Sequence, residues 1–328
     1  MTDLAVAGNP CLFVVGCLRS GTTMLRHVLN AHRGLAVVNE TEWLPRLFEH
    51  RAQRAAFVGD SVTGAVLPEL FGLERYGRLG LTADEAEACL PVDELVPYSE
   101  FVRRLFDAHG RHEGKGLVGE KSPGYVRHVP TLHHLWPDAR FVHLVRDGRD
   151  VYLSLLNWRP DKVSRTVGRF SSWPAEPALT AALWWEWHVR LGLAAAAHLG
   201  PTRYRQLRYE DLVTDPAGEC MRLCRFLGLP YDDGMLRFHE RHAGSGPPPR
   251  RGPGLPITAG LRDWRSELAT GDRRLFEAVA GGLLDELGYE RSPAAPGGSE
   301  SREASRVRAA FSAEAGRRLR RVLPWPGG

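Results

Sequence analysis

The residues richest in chemical possibility come early, in CLFVVGCLRSGTTML (11–25). An apolar run from Cys11 to Val15 reads as a buried strand and stops at Gly16; a Gly/Ser/Thr loop follows, and an amphipathic helix is expected to open near Thr22. A strand, a small-residue loop and a helix N-terminus together make an anion site. Free backbone N–H groups converge there, and the helix dipole adds about half a positive charge. Arg19 and the hydroxyls of Ser20, Thr22 and Thr23 supply further donors around Gly21. The spacing Gly16-x4-Gly21 fits a nucleotide triphosphate P-loop, yet Thr22 stands where that motif has the lysine that reaches the β- and γ-phosphates. A triphosphate with bound metal is therefore a poor match, and a ligand with one 5′-phosphate region a better one.

Three further motifs follow in order: GEKSPGY (119–125), ARFVHLVRDGRDVYLSL (139–155) and LRYEDLV (207–213). Together with LRSGTTMLRHVLNAH, they resemble the sulfotransferases that use 3′-phosphoadenosine 5′-phosphosulfate (PAPS), most of all the tyrosylprotein sulfotransferases and related bacterial enzymes. The likeness runs over roughly residues 11–290 and is thin between 50 and 115. It implies sulfuryl transfer to an acceptor hydroxyl or amine by in-line displacement, with release of 3′,5′-diphosphoadenosine (PAP) and no metal. It also implies roles for particular residues. Arg19 and residues 20–23 would hold the 5′-phosphosulfate, Arg146 and Ser154 the 3′-phosphate, and Tyr209 would lie near the adenosine. Lys121 would sit beside the transferring oxygens, where a point cation suits a moving charge. Glu40, in VVNETEW, falls at the position of the family's catalytic glutamate and would be the general base, with Glu42 the nearby rival. Relatives supply a late basic residue to the 3′-phosphate; Arg250, Arg251, Arg262 and Arg265 are all candidates by spacing. Cys17-Leu18 departs from the family's proline-containing entry to the loop, a change expected to alter loop stiffness more than ligand chemistry.

The elements that must position these residues alternate strand and helix, which predicts an α/β fold: a P-loop-like three-layer α/β/α sandwich with a mostly parallel sheet. Strands are expected at 11–16, 35–38, 116–119, 140–145 and 203–208, and ligands at the C-terminal strand ends, where the end of the second strand would face the first loop across adjacent strands. Helices are expected at 22–31, 43–57, 98–109, 147–156 (capped by Asp147), 178–199 and 263–288. Residues 58–115 read as an irregular helical insertion into a domain spanning 1–290. Segment 157–177 is basic and aromatic, either an active-site wall or a connector, and 243–256 is too rich in Gly and Pro for regular structure. Glu120 is expected to pair with nearby arginines. Past Tyr289, residues 291–328 read as a flexible linker and a basic tail. Residues 302–323 hold seven arginines against two glutamates, with Val307, Phe311, Ala315, Leu319 and Val322 as a rough apolar stripe. That tail is either a solvated extension or an amphipathic helix meeting an anionic surface.

Composition narrows the classes. The chain has 328 residues and a net charge of +4, enough length for a large core and too mild a charge to imply nucleic acid. The only lysines are Lys115, Lys121 and Lys162, so a lysine within a motif stands out. Five scattered cysteines suggest reduced, buried thiols, and neither they nor His133-His134 and His239/His242 have metal-site spacing. The N-terminus lacks a basic, apolar leader and no run is long enough to span a membrane, so a cytoplasmic protein is expected. The expected acceptor is a small molecule or carbohydrate. Two other classes compete: an atypical P-loop kinase, which would need the missing lysine, and a non-enzymatic nucleotide or anion binder.

Overall fold

The structure, a computed structural model, describes residues 11–242, 256–258, 262–293 and 295–325. Five strands form one parallel sheet: β1 (Leu12–Gly16), β2 (Leu35–Asn39), β3 (Leu117–Lys121), β4 (Arg140–Val145) and β5 (Tyr204–Arg208), in the order β2-β3-β1-β4-β5. The central strands β1 and β4 are buried along nearly their whole length, as a parallel sheet covered on both faces requires, while the edge strand β5 (YRQLR) is polar at three of its five positions. Along β1, Phe13 and Val15 enter the core on one side while Leu12 and Val14 enter the core on the other. One face is covered by α1 (Thr22–Asn30), which buries Leu25, Val28 and Leu29. The other is covered by α2 (Tyr98–Glu113), with Phe101, Val102, Leu105 and Phe106 buried. The expected fold class holds.

The strand order corrects one expectation. β2 does not border β1; β3 lies between them and pairs in register with both, Val14 and Asn39 each opposite Lys121. The end of β3 is thus the place where the two outer strands' loops are brought together.

A second apolar body forms around α3 (Gly148–Leu156) and α4 (Pro177–Leu199), while α5 (Pro216–Leu227) packs with α1 on the other side of the sheet; α6 (Thr270–Glu286) joins α3 and α4. Trp184 and Trp185 are buried there, as a tryptophan pair on a helix facing a sheet should be. The expected helix over 43–57 stops early, at Glu49, and the expected helical region 263–288 is broken at Leu268. The insertion is not purely helical: Phe57–Val58, Ser61–Val62 and Val96–Pro97 make a small antiparallel sheet within it.

The C-terminal segment differs most from its reading. Gly298–Leu319 is a helix, α7, and its stripe is covered by the protein itself: Ala304, Val307, Phe311 and Ala315 are buried in the α4–α6 body. Phe311 stacks on Phe170 at 4.1 Å, and Arg308 pairs with Glu186 at 2.7 Å. Beyond it, Leu323 and Trp325 pack on the first core, with Trp325 stacked on His198. A stripe of this width finds more apolar area on its own domain than in water, so the described part of the tail docks instead of remaining solvated.

Candidate active site

At the C-terminal end of the sheet lies a cavity of about 970 Å³. Its floor is the β1–α1 loop. Gly21 precedes the first helical residue at φ +97°, and no side chain caps the helix, so the first N–H groups of α1 are left for a ligand. Any Cβ on Gly21 would come within 2.5 Å of the Tyr209 ring, so the loop has room only for glycine there. Arg19 is itself in the left-handed region (φ +75°), which turns its side chain across the loop. Its Nε donates to Ser154 Oγ at 3.0 Å and its guanidinium lies over Trp158, 4.8 Å from the ring centre. Two predicted subsites are thereby joined, since Ser154 comes from α3.

Arg146, at the end of β4, lies 4.4 Å above the Tyr209 ring and pairs with Asp150 at 3.2 Å. Asp150 also accepts from the Trp264 N–H, yet burial pushes its carboxyl up to about 6. Burial also lowers the Arg19 pKa, and the neighbouring Arg262 and Arg146 add to it. Three guanidiniums gathered this way ask for an anion between them. Ser20 Oγ and Arg146 Nε are among the buried polar atoms that have no hydrogen-bond partner among the described residues. Of the late arginines, Arg262 lines the cavity, while Arg265 turns to Glu290 at 2.7 Å. Arg250 and Arg251 lie outside the described residues, as does most of loop 243–256.

Opposite the loop, Lys121 Nζ donates to Glu40 Oε1 at 2.5 Å and reaches Thr23 Oγ1 at 3.4 Å. Lys121 is only 1% exposed. Burial would raise the Glu40 carboxyl, but Lys121, Arg75 and Arg78 outweigh it and hold its pKa below the usual value. Glu40 is therefore ionised before any acceptor arrives. Burial lowers the Lys121 pKa despite the ion pair.

The turn that carries Glu40 is unusual. Glu40 and Glu42 both have positive φ (+48° and +62°), which β-branch-free but bulky side chains adopt only when held. Glu120 does the holding. Buried on β3, its carboxylate accepts from Thr41 N (2.7 Å), Thr41 Oγ1 (2.9 Å), Glu42 N (3.3 Å) and Ser122 Oγ (2.6 Å). The expected arginine partners are not there: among the described residues no Arg or Lys nitrogen lies within 4.0 Å of it, because the turn's own N–H groups fill that place. From the other side Arg78 donates to the carbonyls of Asn39 (3.0 Å) and Glu40 (2.9 Å). Arg75 forms an ion pair with Glu42, so the rival carboxylate is already engaged.

Thr22 also lines the cavity, so Arg19, Gly21, Thr22, Thr23, Glu40, Arg146, Ser154 and Tyr209 all reach it, Lys121 touches Glu40, which does, and Ser20 is buried beside it. Segment 157–177 is a wall of the cavity, contributing Trp158, Lys162, Arg165, Arg169 and Phe170. Sequence reasoning missed Arg75 and Arg78, whose partners are remote in the chain, together with Arg127 and with Arg318 from α7. Among the described residues no group of three or more His, Cys, Asp or Glu is arranged to hold a metal, and all five cysteines are buried and unpaired with one another.

The decisive comparison is with protein families: the sulfotransferase family matches residues 10–233. The chain belongs to the sulfotransferase family. Protein-tyrosine sulfotransferase A of Caenorhabditis elegans is 24% identical over 236 residues, 72% of this chain and 54% of that protein. Nodulation protein NoeE of Sinorhizobium fredii is 28% identical over 302 residues, 85% of this chain and 66% of that protein. The chain spans about half the length of the first curated relatives it matches. Among solved structures, the sulfotransferase domain of the Synechococcus PCC 7002 olefin synthase superposes with a TM-score of 0.56 at 25% identity, covering 87% of this chain and 96% of that one. Among the described residues no helix is long and apolar enough to cross a membrane.

Proposed function

We propose that this chain transfers the sulfuryl group of PAPS to an acceptor hydroxyl, or amine, with Glu40 as general base. The observation that carries the reading is the Lys121–Glu40 pair set opposite the α1 N-terminus in one cavity. The residues fit the co-substrate. An orphaned Ser20 hydroxyl, an orphaned Arg146 Nε and a glycine cradle are what a nucleotide with two anionic ends requires.

When bound, PAPS supplies the sulfuryl group: the acceptor oxygen–sulfur bond forms while the bond from sulfur to the bridging phosphate oxygen breaks, and the electron pair leaves with PAP. Arg19 and the N–H groups opening α1 hold the 5′ end. Arg146, Ser154 and Arg262 hold the 3′-phosphate, and Tyr209 closes the floor. Glu40 takes the acceptor's proton, and Lys121 donates to the oxygen on which charge grows. No metal is called for in this scheme, since cationic side chains occupy the positions where charge develops.

The acceptor is proposed to be a small molecule or carbohydrate. The cavity is walled by segment 157–177 and α7, which suits a compact ligand better than an extended peptide. The relatives named for protein tyrosine make a tyrosine peptide the arm to run beside it.

Thermal shift with PAP and with ATP–Mg²⁺, followed by turnover of labelled PAPS in source extracts with mass-spectrometric identification of the product, tests the scheme. PAP is expected to raise the Tm and ATP–Mg²⁺ not to. Glu40→Gln is expected to keep PAP binding and lose about 10²–10⁴ in turnover. Stabilisation by ATP–Mg²⁺ alone would make the chain a kinase. PAP binding without any sulfated product would make it a binder, and full turnover by Glu40→Gln would remove the base.

A further inference from the structure

Two sets stand out among the arginines lining the cavity. Those near the nucleotide loop and the Glu40 turn are engaged: Arg19 with Ser154, Arg146 with Asp150, Arg75 with Glu42, and Arg78 with backbone carbonyls. Arg127 and Arg318 are different. Among the described residues neither has a carboxylate oxygen within 4.0 Å. Arg127 follows β3 in the turn Pro123–His128. Its Nε donates to the Gly124 carbonyl at 3.3 Å, and its guanidinium lies 5.6 Å from the Trp187 ring centre. Arg318, from α7, lies 4.5 Å over Phe170 and gives one N–H to the Arg169 carbonyl at 3.2 Å; its Nε is buried with no partner. Arg46 lines the same region, its nearest carboxylate, Glu42, 3.9 Å away.

Like charges gathered beside aromatic walls are costly unless an anion joins them. Burial, with Arg46 and Arg318 nearby, pushes the Arg127 guanidinium down to about 10, so it is still charged at neutral pH but has been brought there at a cost. Arg318 lies outside the segment that the family match covers, residues 10–233.

We infer that Arg127 and Arg318 form an anion subsite on the acceptor side of the cavity, so that the acceptor of this sulfotransferase carries a carboxylate, phosphate or sulfate in addition to the hydroxyl that is modified. The inference rests on the sulfotransferase reading of the site. Arg318 also steadies segment 157–177 through the Arg169 carbonyl, and a docking role alone would give no preference between charged and neutral ligands.

That difference is measurable by calorimetric titration of the PAP-loaded protein with matched pairs: glucuronate against glucose, and 4-hydroxyphenylacetate against its amide. The expected result is that the carboxylate of at least one pair binds about tenfold or more tightly, an advantage of one charge-assisted contact, and that raising salt erodes it. Arg318→Gln, at a half-exposed position, is expected to cancel most of the preference; Arg127→Gln is the second variant. Replacing the carboxylate by a phosphate ester distinguishes the sources of the anion. No preference in either pair, no binding of any probe, or a preference intact in both variants would overturn the inference. Failure of PAP itself to bind would instead overturn the reading of the nucleotide site.

Discussion

The two ends of the cavity are built on different principles. The nucleotide end is made of backbone: a strand, a glycine loop and the opening turn of α1, with Arg19 and Arg146 fixed by Ser154, Asp150 and Tyr209. The acceptor end is made of side chains from segments far apart in the chain, among them Arg127, Trp187, Phe170 and Arg318. The first kind of site is local and recurs as a motif. The second exists only after folding, and its side chains lie outside the sheet. In the proposed scheme one end binds a shared co-substrate while the other distinguishes acceptors.

If that contrast is right, acid should damage the acceptor end first. His188, which lines it, and His143, packed under the sheet against Gly192, are both buried with pKa values pushed down to about 3 by burial. A histidine lowered in the folded state is neutral there and binds a proton only on unfolding. Its contribution is present above the ordinary value of about 6.5 and is lost as pH falls through the window from 6.5 towards 3. The slope is about 1.4 kcal/mol per pH unit for each group, near 2.7 for both. Urea melts between pH 7 and pH 4.5 should show it, and hydrogen exchange should show α4 opening before α1. A pH-independent midpoint over that range would contradict the burial of both rings.

A second experiment probes the nucleotide end. Gly21→Ala must place a Cβ against Tyr209 and hold alanine at φ +97°. Left-handed strain of about 1–3 kcal/mol translates into roughly a five- to 150-fold loss of PAP affinity, read by titration. The acceptor-pair preference should survive in the protein still loaded with PAP. Unchanged PAP affinity would show that the loop does not hold the nucleotide.

The same contrast explains what could be read in advance. The parallel sheet, the loop and Glu40 were legible, because apolar runs and small-residue turns are local signals and because four motifs occur in a family's order. The position of β3 between β1 and β2 was not, since strand order depends on pairing across 80 or more residues, as between Val38 and Glu120. The fate of the C-terminal stripe was also invisible: the pattern of Val307, Phe311 and Ala315 announces an apolar face but not which surface will cover it. Arg75 and Arg78 sit three apart in a segment without period, and nothing there pointed to the Glu40 carbonyl they hold.

Glu120 sharpens the contrast from between the two ends. It touches neither ligand in the proposed scheme, yet its carboxylate accepts four hydrogen bonds, three from the Thr41–Glu42 turn and one from Ser122. It is a positioning residue: it makes the positive φ of Glu40 and Glu42 tolerable and thereby fixes where the base points. Burial raises its pKa although these bonds oppose the shift. Glu120→Gln preserves volume and one acceptor oxygen, but its NH₂ faces donors, which it cannot satisfy. The expected outcome is about a tenfold fall in kcat, the equivalent of one misdirected hydrogen-bonded group at about 1.4 kcal/mol, with KM for PAPS and PAP affinity unchanged. A purely structural residue would instead lower the Tm and leave kcat intact in the folded fraction. A folded Glu120→Gln protein with full kcat would separate the turn from the base and leave the Lys121 contact as what aims Glu40.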